Sequence, residues 1–262
     1  MRSLVATLRT VVGLLPLAFA HPGAARAAEL AQLPATIDRI RPSIVAIGTN
    51  LPTRNPPFQF RGTGFVVRDG TLVATNNHVL PAVVDPGTLE TVAIAVPQGN
   101  GEAQVREARI LVRDTEHDVA VLRIGGAPLP AVRLGDASQI REGQTYAFTG
   151  FPIGSVIGLY PTTHHALISA LTPVALAQPS SKSLDAALIR RLRSERFVIF
   201  QLDATAYPGN SGSPMFNPDN GEVIAIINMV LVKGGKETAL SQPSGISYAI
   251  PITWLAKLLE GL

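Results

Sequence analysis

Apolar and polar positions change over in short blocks along most of the chain, and the blocks end in turn residues. The first block, "LPATIDRIRP", places Ile37 and Ile40 a helical step apart after Thr36 and Asp38, so a short helix ending at Pro42 is predicted. "SIVAIGT" then reads as a strand, followed by the proline-rich loop "LPTRNPPFQFRG". In "GTGFVVRDGTLVATNNHVL" the pair Asp69-Gly70 sits between two Val-rich runs and predicts a hairpin. "TVAIAVP", "ARILVRD" and "DVAVLRI" add further strands, giving about six before the crossover segment "APLPAVRLGDASQIREGQ". The second half repeats the style with "TYAFTGFP", "HHALISALTPVAL", "RFVIFQLDA", "GEVIAIINMVLV" and "GISYAIPI". Two helices interrupt or close this series. "SKSLDAALIRRLRSERF" carries Leu184, Ala187, Leu188 and Leu192 on one face behind an N-cap at Ser183. "PITWLAKLLEGL" carries Trp254, Leu255, Leu258 and Leu259 as an apolar stripe.

Two clusters of about six strands with helices mainly at the ends predict an all-β fold. The element count points to two packed antiparallel six-stranded β-barrels, about 35–130 and 143–252, with a few short helices including a C-terminal one. A single β-sandwich is the competing arrangement, and the two halves share no sequence repeat. Composition fits short strands joined by turns: the 262 residues include 23 Gly and 21 Pro, and 46% are hydrophobic. The net charge of +3 lacks the concentrated basic face that nucleic-acid binding needs. The absence of cysteine excludes disulfides, a thiolate nucleophile and Cys-ligated zinc.

The chain starts "MRSLVATLRTVVGLLPLAFAHPGAARAAEL", with Arg2 and Arg9 ahead of a short apolar run. Small-x-small sites follow at Ala18–Ala20 and Ala25–Ala27. This is the order of a secretory signal peptide over 1–27, cleaved after Ala20 or Ala27, leaving a domain over 28–262. The run is short for a bilayer span and contains Pro16. A periplasmic or secreted protein without stable membrane insertion after cleavage is therefore expected.

Chemistry enters with "YPGNSGSPMF", where Ser211 is flanked by glycine-rich turn residues. A serine hydroxyl becomes a nucleophile only beside a base that is itself oriented by a partner. Of the five histidines, His21 belongs to the leader boundary. His78 in "ATNNHVL" lies in a polar turn at a strand end. In "DTEHDVAVLRI", Asp118 abuts the apolar strand and is placed to hold an imidazole N–H. Asp114 and Glu116 read as solvated turn residues, and His117 is expected on the face opposite Asp118 by strand alternation. His164 and His165 read as neighbouring strand residues, one inward and one outward. No HExxH is present, and adjacent histidines on a strand diverge, so neither a metal nor another cofactor is expected.

"GTGFVV", "ATNNHVL", "HDVAVLRI", "QLDATAYPGNSGSPMF", "GEVIAIINM" and "GISYAIPI", in that order, resemble the trypsin/chymotrypsin-like serine peptidases. They are most similar to the bacterial high-temperature-requirement (HtrA/Deg-type) branch, over about residues 35–257. The resemblance implies a chymotrypsin-like double barrel. It also implies His78 as general base, Asp118 as its orienting acid and Ser211 as nucleophile, with the N–H groups of Gly209 and Ser211 as the oxyanion hole. It places a substrate-binding S1 pocket between about Thr205–Pro208 and Ala225–Asn228, including Thr205, Tyr207, Ala225, Ile226 and Ile227. That lining is uncharged and favours an apolar P1 residue of a polypeptide substrate, although "GNSGSP" also resembles the glutamyl endopeptidases. Three departures stand out: the branch's PDZ modules have no counterpart after "AIPITWLAKLLEGL", Tyr207 replaces an asparagine, and the 178–196 insert is long. A catalytically silent or conditionally active binding module on the same fold is the alternative. An esterase ranks last, because the turn lacks the G-x-S-x-G strand-to-helix elbow.

Overall fold

A computed structural model of the chain describes residues 32–83, 87–99, 102–174, 197–228 and 246–262. The leader and the 178–196 insert with its expected helix lie outside the described residues. Residues 32–40 form helix α1. Leu33, Thr36 and Ile40 are its buried residues, spaced three and four apart on one face.

Strands β1 (Ile44–Asn50), β2 (Phe58–Val67), β3 (Leu72–Asn76), β4 (Thr91–Gly99), β5 (Glu102–Asp114) and β6 (Val119–Ile124) close into one antiparallel barrel in the order β1-β2-β3-β6-β5-β4. Strands β7 (Thr145–Gly150), β8 (Thr162–Val174), β9 (Phe197–Asp203), β10 (Pro214–Phe216), β11 (Val223–Asn228) and β12 (Ile246–Pro251) close the second as β10-β11-β12-β9-β8-β7. Taken from β7, the second ring runs 7-8-9-12-11-10, the same winding as 1-2-3-6-5-4. The two-barrel arrangement therefore holds and the single sandwich does not. Asp69 makes the β2–β3 turn by accepting from the N–H and hydroxyl of Thr71, which also holds its carboxyl below the usual range.

Side-chain alternation divides three cores. Ala120 and Leu122 of β6 point into the first barrel with Val45, Ile47, Val73 and Ile94. Val119 and Val121 point out of it and pack with Ile226, Ile250 and Phe216 of the second barrel. Ala225 and Ile227 turn the other way, into the second barrel with Phe148, Ile168 and Leu202. Helices α2 (Gly154–Ile157) and α3 (Thr253–Glu260) complete the chain. Leu255 and Leu259 of α3 enter the shared core between the barrels, so α3 ties the end of the second barrel to the outside of the first. The Arg68 guanidinium donates to the Leu259 carbonyl at 2.5 Å and fixes the far end of that helix.

Candidate active site

β3 ends at Asn76 and runs into a single 3₁₀ turn, Asn77–Val79, that carries His78. Asp118 precedes β6, the neighbour of β3, so sheet pairing alone brings the two side by side (Asn76 pairs with Val119). Asp118 has φ 54°, an unusual backbone state for a non-glycine residue. Its carbonyl accepts from the Asn76 side chain at 3.0 Å and from the Asn77 N–H at 3.1 Å, which fixes that conformation. Its carboxylate takes three donors. Oδ1 accepts from the His78 backbone N–H at 2.8 Å, and Oδ2 lies 2.5 Å from His78 Nδ1. Asn228, at the end of β11 in the other barrel, donates its Nδ2 to the same Oδ2 at 2.8 Å. With Oδ2 also taking Asn228, the carboxylate acts as acceptor toward His78; this fixes the proton on Nδ1 and leaves Nε2 free to accept.

Ser211 lies on the turn before β10 and is nearly buried, at 7% exposure. Its carbonyl accepts from the Thr63 N–H of β2 at 2.9 Å. Gly62 is wedged between this carbonyl and the Val79 methyls: a Cβ there would lie 3.0 Å from the former and 2.8 Å from the latter. The serine turn and the His78 turn thus meet across one side-chain-free residue of β2.

The turn's peptide groups have defined directions. The Ile153 N–H donates to the Pro208 carbonyl at 2.7 Å, and the Thr63 hydroxyl donates to the Gly209 carbonyl at 2.7 Å. The Ser213 N–H donates to the Asn210 carbonyl at 3.0 Å. In a trans peptide the N–H points opposite to the preceding C=O. The Gly209 N–H therefore points away from Ile153, and the Ser211 N–H points away from Ser213. Neither donates to an acceptor among the described residues. Gly209 adopts φ 103°, and a Cβ on it would sit 2.2 Å from the Phe151 carbonyl and 2.9 Å from the Phe60 ring. Ile153 is itself at φ 51°, so the residue that anchors the Pro208 carbonyl is held in a strained state.

A family model described as a trypsin-like peptidase domain matches residues 62–226, the span from β2 through the serine turn into β11. The chain belongs to the trypsin-like peptidase family. It is homologous to bacterial HtrA/DegP-type serine proteases. It is 31% identical over 192 residues to a probable periplasmic serine endoprotease, DegP-like, of Halomonas elongata, covering 73% of this chain and 32% of the relative. It is 30% identical over 212 residues to the putative serine protease HhoB of Synechocystis sp., covering 80% of this chain and 42% of the relative. The chain thus spans about a third of the length of the DegP-like relatives. A solved structure of the HtrA-type protease AlgW, a variant with a tripeptide, superposes with a TM-score of 0.60 at 24% identity over 87% of this chain and 62% of that one. That likeness concerns the fold.

Two sequence expectations change. Asp114 is not a solvated turn residue: it ends β5, and its carboxylate takes the N–H groups of Glu116 and His117 and lies 2.7 Å from His117 Nδ1. Strand alternation does not separate His117 from Asp118 either, because β6 begins only at Val119. Of the residues assigned to S1, Thr205 and Tyr207 are half-buried, whereas Ala225, Ile226 and Ile227 are fully buried in β11, facing the second core, the shared core and the second core in turn. Among the described residues no group of three or more metal-ligating side chains is gathered.

Thr63 and Asn228 are contributions the sequence reading missed. Both lie within segments quoted above, but nothing local to either residue reports its role, since each acts across the barrel junction. The Thr63 hydroxyl donates to Gly209 and accepts from the Phe151 N–H at 3.1 Å, and Thr63 is fully buried. Thr63→Val fills the same volume and leaves both groups unpaired. A loss of about 2 kcal/mol in unfolding free energy is expected, read as a lower urea midpoint with an unchanged slope.

His164 and His165 divide inward and outward along β8. His165 is exposed; His164 stacks on Phe148 at 4.9 Å, and its buried Nε2 has no hydrogen-bond partner among the described residues. Burial pushes the His164 pKa below 6.5. The folded chain then binds fewer protons here than the unfolded chain once pH falls below about 6.5, so this residue makes stability decline toward acid until the folded ring also titrates. Above that pH it is neutral in both states and contributes nothing of this kind. His164→Phe keeps the stack and removes the titration. Its melting temperature is expected to fall less between pH 7 and pH 5 than that of the parent.

Proposed function

We propose that this chain is a periplasmic or secreted serine endopeptidase that hydrolyses peptide bonds through His78, Asp118 and Ser211. The observation that carries the reading is the His78–Asp118 pair, clamped from the second barrel by Asn228, beside a turn whose Gly209 and Ser211 N–H groups meet no acceptor among the described residues. Family membership supports the hydrolase class, and the DegP-like relatives, named as periplasmic, support the location. The leader over 1–27, cleaved after Ala20 or Ala27, is the export route in this reading.

Ser211 Oγ attacks the substrate carbonyl carbon as His78 Nε2 takes its proton. The carbonyl oxygen becomes an oxyanion and accepts hydrogen bonds from the Gly209 and Ser211 N–H groups. Each donor contributes about 3 kcal/mol in the transition state. His78 returns the proton to the amine as the C–N bond breaks, leaving an acyl-enzyme. Water repeats the sequence and releases the acid. Asp118 accepts from Nδ1 throughout and holds the imidazolium in place. No metal or cofactor is required. Of the residues expected at S1, the half-buried Thr205 and Tyr207 are placed to meet a P1 side chain, while Ala225, Ile226 and Ile227 back the region from within the cores; the uncharged character of all five favours an apolar P1 side chain.

The test is a fluorophosphonate probe on the mature protein, followed by mass mapping of the adduct and digestion of casein. One adduct on the peptide containing Ser211, together with casein fragments, is expected. No adduct, or an adduct on a different serine, rejects the reading. Binding of casein without an adduct or fragments supports a silent module instead.

A further inference from the structure

The Asp118 turn is gripped from behind by a second histidine–aspartate pair. His117 Nδ1 lies 2.7 Å from Asp114 Oδ2, and the His117 side chain is only 14% exposed. Its ring stacks on Trp254 of α3, with centroids 3.5 Å apart and planes 12° from parallel. Phe197, at the start of β9, meets both rings edge-on, at 5.1 Å from His117 and 5.8 Å from Trp254. Lys257 Nζ lies 4.6 Å from the Trp254 ring centroid. On the opposite side, Arg113 donates to the Asn77 side chain at 2.8 Å and to the Pro81 carbonyl at 2.6 Å, across the His78 turn. The short segment between β5 and β6 therefore touches the His78 turn through Arg113 and the C-terminal helix through His117.

We infer that His117 is a positioning residue for the reaction proposed above: stacked on Trp254, it clasps the Asp118 turn to the second barrel and its C-terminal helix. The inference rests on that reading. Asp118 needs such a clasp for a physical reason. Its φ of 54° is one that a non-glycine residue abandons when its surroundings loosen. A change there moves the carboxylate, which must meet two donors of His78 and one of Asn228 at once. Ring stacking suits the task because both partners sit on regular elements, α3 on one side and the end of β5 through Asp114 on the other. The contacts of the His117 ring are with Asp114, Trp254 and Phe197, none of them a residue of the proposed catalytic or substrate-binding set, so its loss is expected to act on the geometry of His78 and not on substrate affinity.

Four variants test this: His117→Ala, Trp254→Ala, the double variant, and His117→Phe, which keeps a ring for Trp254. The expected result is a fall in kcat of about tenfold in each single alanine variant, since small displacements of catalytic groups suffice for such losses. KM stays within about twofold, because the interaction lost is felt in the transition state. The double variant falls no further than either single one, as residues acting through one contact require. His117→Phe returns kcat to within about threefold of the parent. The low-field proton resonance of His78 Nδ1–H broadens in the alanine variants and is sharp in His117→Phe. Losses that multiply in the double variant, or an unchanged kcat and resonance in His117→Ala, overturn the inference. If His117→Ala does not fold, His117→Asn, which keeps a donor for Asp114 but no ring, takes its place with the same expectations. If the parent neither labels nor cleaves, the proposed function fails. The resonance, read without substrate in the same variants, then still decides whether the clasp orders the Asp118 turn.

Discussion

Asp118→Asn is expected to lower kcat by about ten-thousandfold while the protein folds and KM changes little. The hydrogen bonds around residue 118 explain why. Three donors converge on its two oxygens: the His78 backbone N–H on Oδ1, and His78 Nδ1 and Asn228 Nδ2 on Oδ2. An amide offers one oxygen and one NH₂, so it must choose which side to satisfy. The backbone N–H cannot change its sense. The imidazole can shift its proton, and Asn228 either gives up its bond to residue 118 or turns its amide. The low-energy arrangement therefore presents the new oxygen to the His78 N–H and the NH₂ to the ring. That forces the ring proton onto Nε2, the nitrogen that accepts from Ser211 in the proposed mechanism. The base is then present, well packed and in the wrong tautomer. Measured kcat/KM on a peptide substrate, with a thermal melt to show the fold intact, checks this. Retention of activity within about tenfold would mean that His78 is not oriented by Asp118, and the proposed catalytic arrangement would fall with it.

Much of the double barrel is legible in the sequence because many of its strands are buried on both sides. "SIVAIGT", "DVAVLRI" and "GEVIAIIN" have no polar alternation, and the structure shows the cause: one face of each fills its own barrel and the other packs between barrels or under α3. The stripe of Trp254, Leu255, Leu258 and Leu259 is legible for the complementary reason, since α3 covers the seam. β10 leaves no pattern because three residues are too few to show a period, although it closes the second barrel between β7 and β11. The start of β5 is missed because "EAQVRE" is largely exposed and its apolar face holds only Ala103 and the exposed Val105, so its pairing with β4 is what makes it a strand. The shared winding of the two rings is invisible in the residues. Strand order is a property of pairing, and the two halves have no sequence in common that would report it.

The candidate site divides along the same line. His78, Asp118 and Ser211 stand out because each breaks a local pattern: a histidine at a strand end, an acid against an apolar run, a serine amid glycines. Their helpers do not. Asn228 closes an apolar strand and reads as its polar end, yet it carries a hydrogen bond from one barrel to the carboxylate of the other. Thr63 reads as one more β-branched strand residue. For His117 it is the premise that fails: alternation is applied before β6 begins at Val119, with Asp118 at φ 54°, and the contact that places the ring is its stack on Trp254 of α3, which no local pattern reports.

Gly209→Ala is the second variant with a large expected effect: a fall in kcat of about a hundred- to thousandfold, equivalent to about 3–4 kcal/mol of transition-state stabilisation. Two constraints act on the same residue. The φ of 103° is open to glycine and strained for alanine, and the added Cβ would sit 2.2 Å from the Phe151 carbonyl with the Phe60 ring behind it. Neither neighbour can retreat easily, since the carbonyl is backbone and Phe60 packs edge-on against Phe151 at 6.3 Å. The cheapest relief is rotation of the 208–209 peptide, which breaks the 2.7 Å bond from Ile153 to the Pro208 carbonyl and turns the Gly209 N–H away from its present direction. The Ser211 N–H and the His78–Asp118 pair remain as they are, so the nucleophile is still generated and only the charge on the substrate oxygen loses a donor. This separates the effect from a general loss of structure. Affinity for a peptide boronate, whose tetrahedral oxygen imitates the oxyanion, should fall by about the same factor as kcat, while affinity for a product peptide stays the same. Equal weakening of both ligands would show that the substitution had damaged substrate binding at large. Full activity in Gly209→Ala would show that the 208–209 peptide contributes no donor to the transition state.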